Sequence, residues 1–175
     1  MSITKASDFT AEPIKIPHAV SQDAGVSGNA DLTGVIVENE RDLLIKLLGE
    51  TQYFSLQTEL AKLPFTEGAS ETASTIYVEL VNGKANTSWE GLRAILKNYI
   101  FCKWLEVDEI SNLVTGTGKG ETEGFTVADN SAKYVSRWNI FVEKYNQLTE
   151  YLGDSADLDQ PEKYPYFDFK NSLGI

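Results

Sequence analysis

Cysteine is nearly absent from this sequence. Cys102 is the single one in 175 residues, so no disulfide can close within the chain. That argues against a small disulfide-stapled secreted domain and fits a reducing compartment. Histidine is as scarce: His18 stands alone between Pro17 and Ala19. No His–His or His–Cys ligand set forms within one chain, so no structural zinc site is expected. A Ser-His-Asp triad would rest on a proline-flanked residue, and we set it aside. Basic residues are few, with 15 Lys and Arg against 26 Asp and Glu and a net charge of −11. Tight binding to bare nucleic acid neutralises phosphates with Lys and Arg, and an anionic bilayer asks for the same charges. Neither partner is expected. Long apolar runs are missing as well. The most apolar stretch, Tyr99-Ile100-Phe101-Cys102, is cut by Lys103 and is far too short to span a bilayer. Met1-Ser2-Ile3-Thr4-Lys5 is not a basic stretch leading into an apolar run, so no signal peptide is expected.

What is present is a core. Apolar residues make up 42% of the chain, enough for a folded domain at this length. Residues 1–38 read as an extended N-terminal arm. They hold Pro13, Pro17, Gly25, Gly28 and Gly34, with Ile14-Lys15-Ile16 alternating like a short strand and Val35-Ile36-Val37 β-branched. A helical pattern opens at Asn39, a plausible cap, with Glu40 and Asp42 suited to the positive end of the helix dipole. Leu43, Leu44, Leu47 and Leu48 follow at helical spacing, and Gly49 ends the helix. Tyr53, Leu56, Leu60 and Leu63 mark a second helix, stopped by Pro64. Thr75 to Val81 is rich in β-branched residues and runs into Asn82-Gly83, which reads as a short strand and a turn. Thr87-Ser88-Trp89-Glu90 matches a capping box for the next helix. Leu92, Ile95, Leu96, Tyr99, Cys102 and Leu105 make that helix central and buried. Residues 107–129 break the pattern around Gly116, Gly118 and Gly120, and read as a protruding β-hairpin or long loop. The last helix runs from an Asn130 cap to Gly153, with Val135, Trp138, Val142, Tyr145 and Leu152 on one face. The predicted architecture is mainly α: a bundle of three to four helices over 39–152, a hairpin excursion, and an acidic then aromatic tail at 153–175.

Sites of chemistry are hard to find. Gly118-Lys119 lacks the upstream Gly and the following Ser/Thr of a P-loop, since Leu113 and Gly120 stand there. The three nearby glycines are too closely spaced for a dinucleotide fingerprint. Asp157-Leu158-Asp159-Gln160-Pro161 lacks the glycine of a calcium loop, with Glu162 in its place, and reads as a solvated linker. Cys102 reads as a small buried hydrophobe. Carboxylates such as Glu106 and Asp108 are neighbours by abundance in so acidic a chain. Asn86-Thr87-Ser88 is read as part of a helix cap, not as a glycosylation site. No catalytic residue, cofactor or metal is expected.

The tail is the anomaly. Tyr164, Tyr166, Phe167 and Phe169 sit in an extended, proline-containing segment. Such aromatics either fold back on their own domain or dock on a neighbour with large contact area. The expected interface set is Ile14 and Ile16 in the arm, Thr117, Lys119 and Phe125 in the hairpin, and Tyr164, Tyr166, Phe167 and Phe169 in the tail. Both ends are expected to be disordered in the free chain and ordered in an assembly.

The order of elements resembles the small helical head–tail connector (adaptor) proteins of tailed bacteriophages, and in particular a family common in phages of Bacteroidetes hosts. The matching pieces are Leu43 to Gly49 with Tyr53, Asn82-Gly83 leading to Trp89-Glu90-Gly91-Leu92, and the aromatic helix through Trp104. The Gly-rich excursion Val114 to Phe125 and the final helix Ser131 to Leu152 complete them, over roughly residues 39–152. The resemblance implies a non-enzymatic virion protein, made in the host cytoplasm and placed at the head–tail interface. Its implied partners are copies of itself in a ring, the portal protein, and tail, stopper or completion proteins. DNA passes only through the channel, and no membrane is involved. The alternative is a cytoplasmic interaction module or assembly chaperone.

Overall fold

The computed structural model describes residues 2–16, 19, 28–62, 74–114, 127–155, 158, 161 and 164–171. Five α-helices follow a 3-10 turn at Ala6–Phe9 among these residues. They are α1 (Gly28–Leu48), α2 (Glu50–Ala61), α3 (Thr75–Asn82), α4 (Leu92–Val114) and α5 (Val127–Asp154). The main pair is α4 and α5; α1 packs on α4 and α2, and α3 packs on α4. No β-strand occurs among the described residues, and no helix there is long and apolar enough to cross a membrane. The mainly α architecture stands, with five helices where three to four were expected.

Helix α4 is the hub. Leu92, Ile95, Leu96, Ile100, Phe101 and Cys102 are all buried. It is apolar nearly all round because α1, α3 and α5 cover it from different sides. It continues through residues 107–114, where the sequence suggested a hairpin. Residues 127–129 likewise open α5, so helix replaces both ends of that hairpin. Its centre, residues 115–126, lies outside the described residues.

Helix α1 starts at Gly28, ahead of the expected Asn39, which shortens the proposed arm. Leu32, Val35, Ile36, Leu43, Leu44, Leu47 and Leu48 share a buried face. The position that should continue that face from Ile36 is Glu40, and a glutamate there hid the helical period. Gly49 does end α1, with φ 79° and its amide bonded to the Ile45 carbonyl.

The segment read as a strand is α3. Ile76, Tyr77, Leu80 and Val81 recur at helical spacing, and burial against α4 outweighs β-branched propensity. Gln52 donates from Nε2 to the Tyr77 hydroxyl at 3.1 Å and ties α2 to α3. The capping box is also not formed as read. The Thr87 hydroxyl donates to the Lys84 carbonyl at 2.8 Å, and Glu90 pairs with Lys144 of α5 at 2.6 Å. Gly91, at φ 92°, separates this turn from α4, and a Cβ there would fall 2.4 Å from the Val81 carbonyl. Only glycine lets the turn pass so close. Trp89 is held beneath it, stacked on Tyr151 at 5.2 Å and donating to the Glu79 carbonyl at 3.0 Å.

Candidate interaction surface

The N-terminal segment is built into the core, which corrects the free-arm reading. Glu40 is only 3% exposed. Its carboxylate accepts from the Ile3 amide at 2.6 Å, the Thr4 amide at 3.0 Å and the Thr4 hydroxyl at 2.6 Å. Phe9 is fully buried, and Asp8 pairs with Lys97 of α4 at 3.0 Å. Ile16 is buried in the same core and Ile14 packs against it. These two residues therefore face inward. Ile14-Lys15-Ile16 is not a strand; the Ile16 amide donates to the Phe9 carbonyl at 2.8 Å, closing a local loop.

The aromatic tail folds back on α5. Residues 164–171 form an extended strap running antiparallel to the helix, from Tyr145 towards Tyr134. The geometry suits this: eleven helical residues rise about 16 Å, and five extended residues cover about the same. Phe167 is the wedge. Its ring meets Phe141 at 4.9 Å, Tyr145 at 5.0 Å and Trp138 at 6.2 Å, each edge to face. That arrangement suits the ring quadrupoles. Three side chains of α5 then grip the strap's backbone. The Tyr145 hydroxyl donates to the Pro165 carbonyl, and Trp138 Nε1 donates to the Asp168 carbonyl at 2.8 Å. Asn139 holds Lys170 at both ends of its main chain: Nδ2 donates to its carbonyl at 2.8 Å, and Oδ1 accepts its amide at 2.7 Å.

Lys170 closes the strap electrostatically. Its ammonium lies 4.6 Å from the ring centres of both Tyr134 and Trp138, and donates to the Tyr134 hydroxyl at 3.0 Å. That hydroxyl donates in turn to Glu106 at 2.8 Å, whose other oxygen takes Lys103 at 2.7 Å. Burial, then the hydrogen bond to Glu106, pushes the Tyr134 phenol well above the ordinary tyrosine range. It stays a proton donor at neutral pH.

The outer side of the strap is bare. Tyr166 is 85% exposed and Phe169 60%. Tyr164 is half-buried, with its hydroxyl enclosed. Of the expected interface residues, Tyr166 and Phe169 thus face solvent, while Phe167, Ile14 and Ile16 are spent on the chain's own core. Thr117, Lys119 and Phe125 lie outside the described residues, as does His18. The seat on α5 was not legible as a seat. Trp138 and Tyr145 read only as core positions, and nothing in the sequence singled out Asn139 or Lys170.

Cys102 is buried, and burial first, then Glu106, pushes its thiol up to about 12. That agrees with its reading as a buried hydrophobe and not a nucleophile. A cleft of about 180 Å³ beside Trp89 is lined by Lys84, Gln147, Glu150 and Asp154, with no cysteine or histidine. No protein-family model, curated protein or solved structure matches this chain.

Proposed function

We propose that the protein is a structural, assembling subunit: a head–tail connector (adaptor) of a tailed bacteriophage, joined in a ring beneath the portal. The observation that carries the assembling role is the strap, which is pinned to α5 on one side and turns Tyr166 and Phe169 to solvent on the other. Exposed aromatics on a fixed support are suited to anchoring a protein partner at low entropic cost. The connector role itself is drawn from the resemblance in element order over residues 39–152. In this reading the ring contacts the portal on one side and tail, stopper or completion proteins on the other. It extends the DNA channel, carries out no catalysis, and sits in the virion after assembly in the host cytoplasm.

Quantitative mass spectrometry of purified particles tests this. A fixed ratio of this chain to the portal subunit is expected. Absence from particles, with abundance in the cytoplasm, overturns the connector reading and favours an assembly chaperone.

A further inference from the structure

We infer that the outer side of the strap is a docking face for a basic, arginine-bearing segment of another protein. The inference rests on the reading that this side anchors a protein partner, and it names that partner's chemistry. Burial along the strap recurs at every third residue. Tyr164 and Phe167 pack on the core, and Lys170 lies over the rings of Tyr134 and Trp138. The carbonyls of Pro165 and Asp168, which α5 holds, are also three positions apart. An extended chain of this period turns the same side outward at every third residue. Tyr166 and Phe169 therefore share one outward row, about 9 Å apart along the chain. They are 85% and 60% exposed. At that spacing neither ring covers the other, and α5 fixes the backbone that carries them.

A carboxylate stands beside this row. Asp168 is exposed, and its side chain accepts a hydrogen bond from the Tyr166 hydroxyl. One such bond leaves a carboxylate with further acceptor positions. A ring next to a carboxylate suits a planar guanidinium, which stacks on the ring and donates to the oxygens. The inner side of the strap already uses this chemistry within the chain. There the Lys170 ammonium sits over Tyr134 and Trp138, and the Tyr134 hydroxyl donates to Glu106. Charge then selects the occupant. At −11 the chain repels a second copy of itself at this face and attracts a basic partner. A purely apolar segment would cover the rings but leave the Asp168 carboxylate desolvated and unmatched.

The test titrates the full-length, isotope-labelled chain with a capped peptide of alternating arginine and glycine, followed by nuclear magnetic resonance. Lysine and citrulline versions of the peptide are the controls; citrulline keeps the shape of arginine without its charge. Saturable shifts are expected at residues 165–169 with the arginine peptide, and weaker binding with the other two. Tyr166→Ala, Phe169→Ala and Asp168→Asn each change an exposed side chain, and each should weaken binding by about two- to fivefold. The Trp138 indole resonance should stay in place in all three, because its bond is to the Asp168 main chain. Equal affinity in the parent and substituted chains overturns the inference, as does binding spread over the acidic surface or no saturation at millimolar peptide. Lysine binding as tightly as arginine overturns the guanidinium assignment. Citrulline binding as tightly assigns the face to a neutral partner and overturns it as well. So do shifts at Tyr166 and Phe169 that follow chain concentration without peptide, which assign the face to a second copy. None of these results bears on the ratio of this chain to the portal in particles, so the connector reading stands or falls separately.

Discussion

Glu40 is a charged residue at a position the core pattern reserves for an apolar one. It is held there because its two oxygens satisfy three donors that would otherwise be buried alone. Removing an acceptor from buried donors costs about 1–3 kcal/mol each, so with three donors left alone Glu40→Ala should destabilise by about 3 kcal/mol or more. Glu40→Gln keeps one acceptor and should cost less. Urea unfolding midpoints check both, with the m-value expected to change little if the rest of the fold persists. Cys102 makes a second prediction, of opposite kind. Its thiol ordinarily titrates near 9.0 but is held to about 12 in the fold, chiefly by burial. The folded state therefore binds a proton that the unfolded state has already lost. The stability is fully present below about pH 9 and is lost as pH rises towards 12, by up to roughly 4 kcal/mol at about 1.4 kcal/mol per pH unit. Tyr134 is raised in the same direction and adds to the loss. Helicity by circular dichroism should fall in that window, and Cys102→Ala should move the midpoint upward. Equal alkaline midpoints in the two proteins would count against it.

Among the elements, the strap makes the clearest prediction. Hydrogen exchange in the free chain should protect the Lys170 amide, which donates to Asn139, more than the Phe169 amide beside it. Protection at Ile3 and Thr4 should likewise depend on Glu40. This replaces the expectation that both ends are disordered when free. Asn139→Ala should release the strap and shift Trp138 fluorescence to the red, as the indole gains water. The helices themselves were legible where burial and period agree, as in α4 and the second half of α1. They were hidden where a single residue broke the rule. Glu40 masked the first half of α1, and the β-branched run of α3 imitated a strand because propensity is weaker than burial. The strap was legible as aromatic but not as docked. A backbone gripped by side chains leaves no period in the sequence, and Asn139 looks like any surface amide until Lys170 is placed beside it.

At the scale of the whole molecule, charge is the dominant property. The chain carries −11 and has a pI near 4.5. On the proposed connector reading, a ring multiplies that charge by its copy number, and an acidic wall repels passing DNA where a basic one would hold it. Exposed charges act across a Debye length of about 8 Å at physiological salt, which is short but sufficient at the wall of a narrow channel. Two outcomes follow from that argument. The isolated chain should not retard duplex DNA at physiological ionic strength, because its net charge of −11 repels the phosphates. If the proposed connector ring forms the channel wall, replacing its channel-facing carboxylates by lysine should slow DNA passage in particles, and the effect should shrink as salt is raised. Both ejection and packaging rates report it. Rates unchanged by charge reversal at low salt would mean that the acidity serves solubility alone and that the channel wall is not built from this surface.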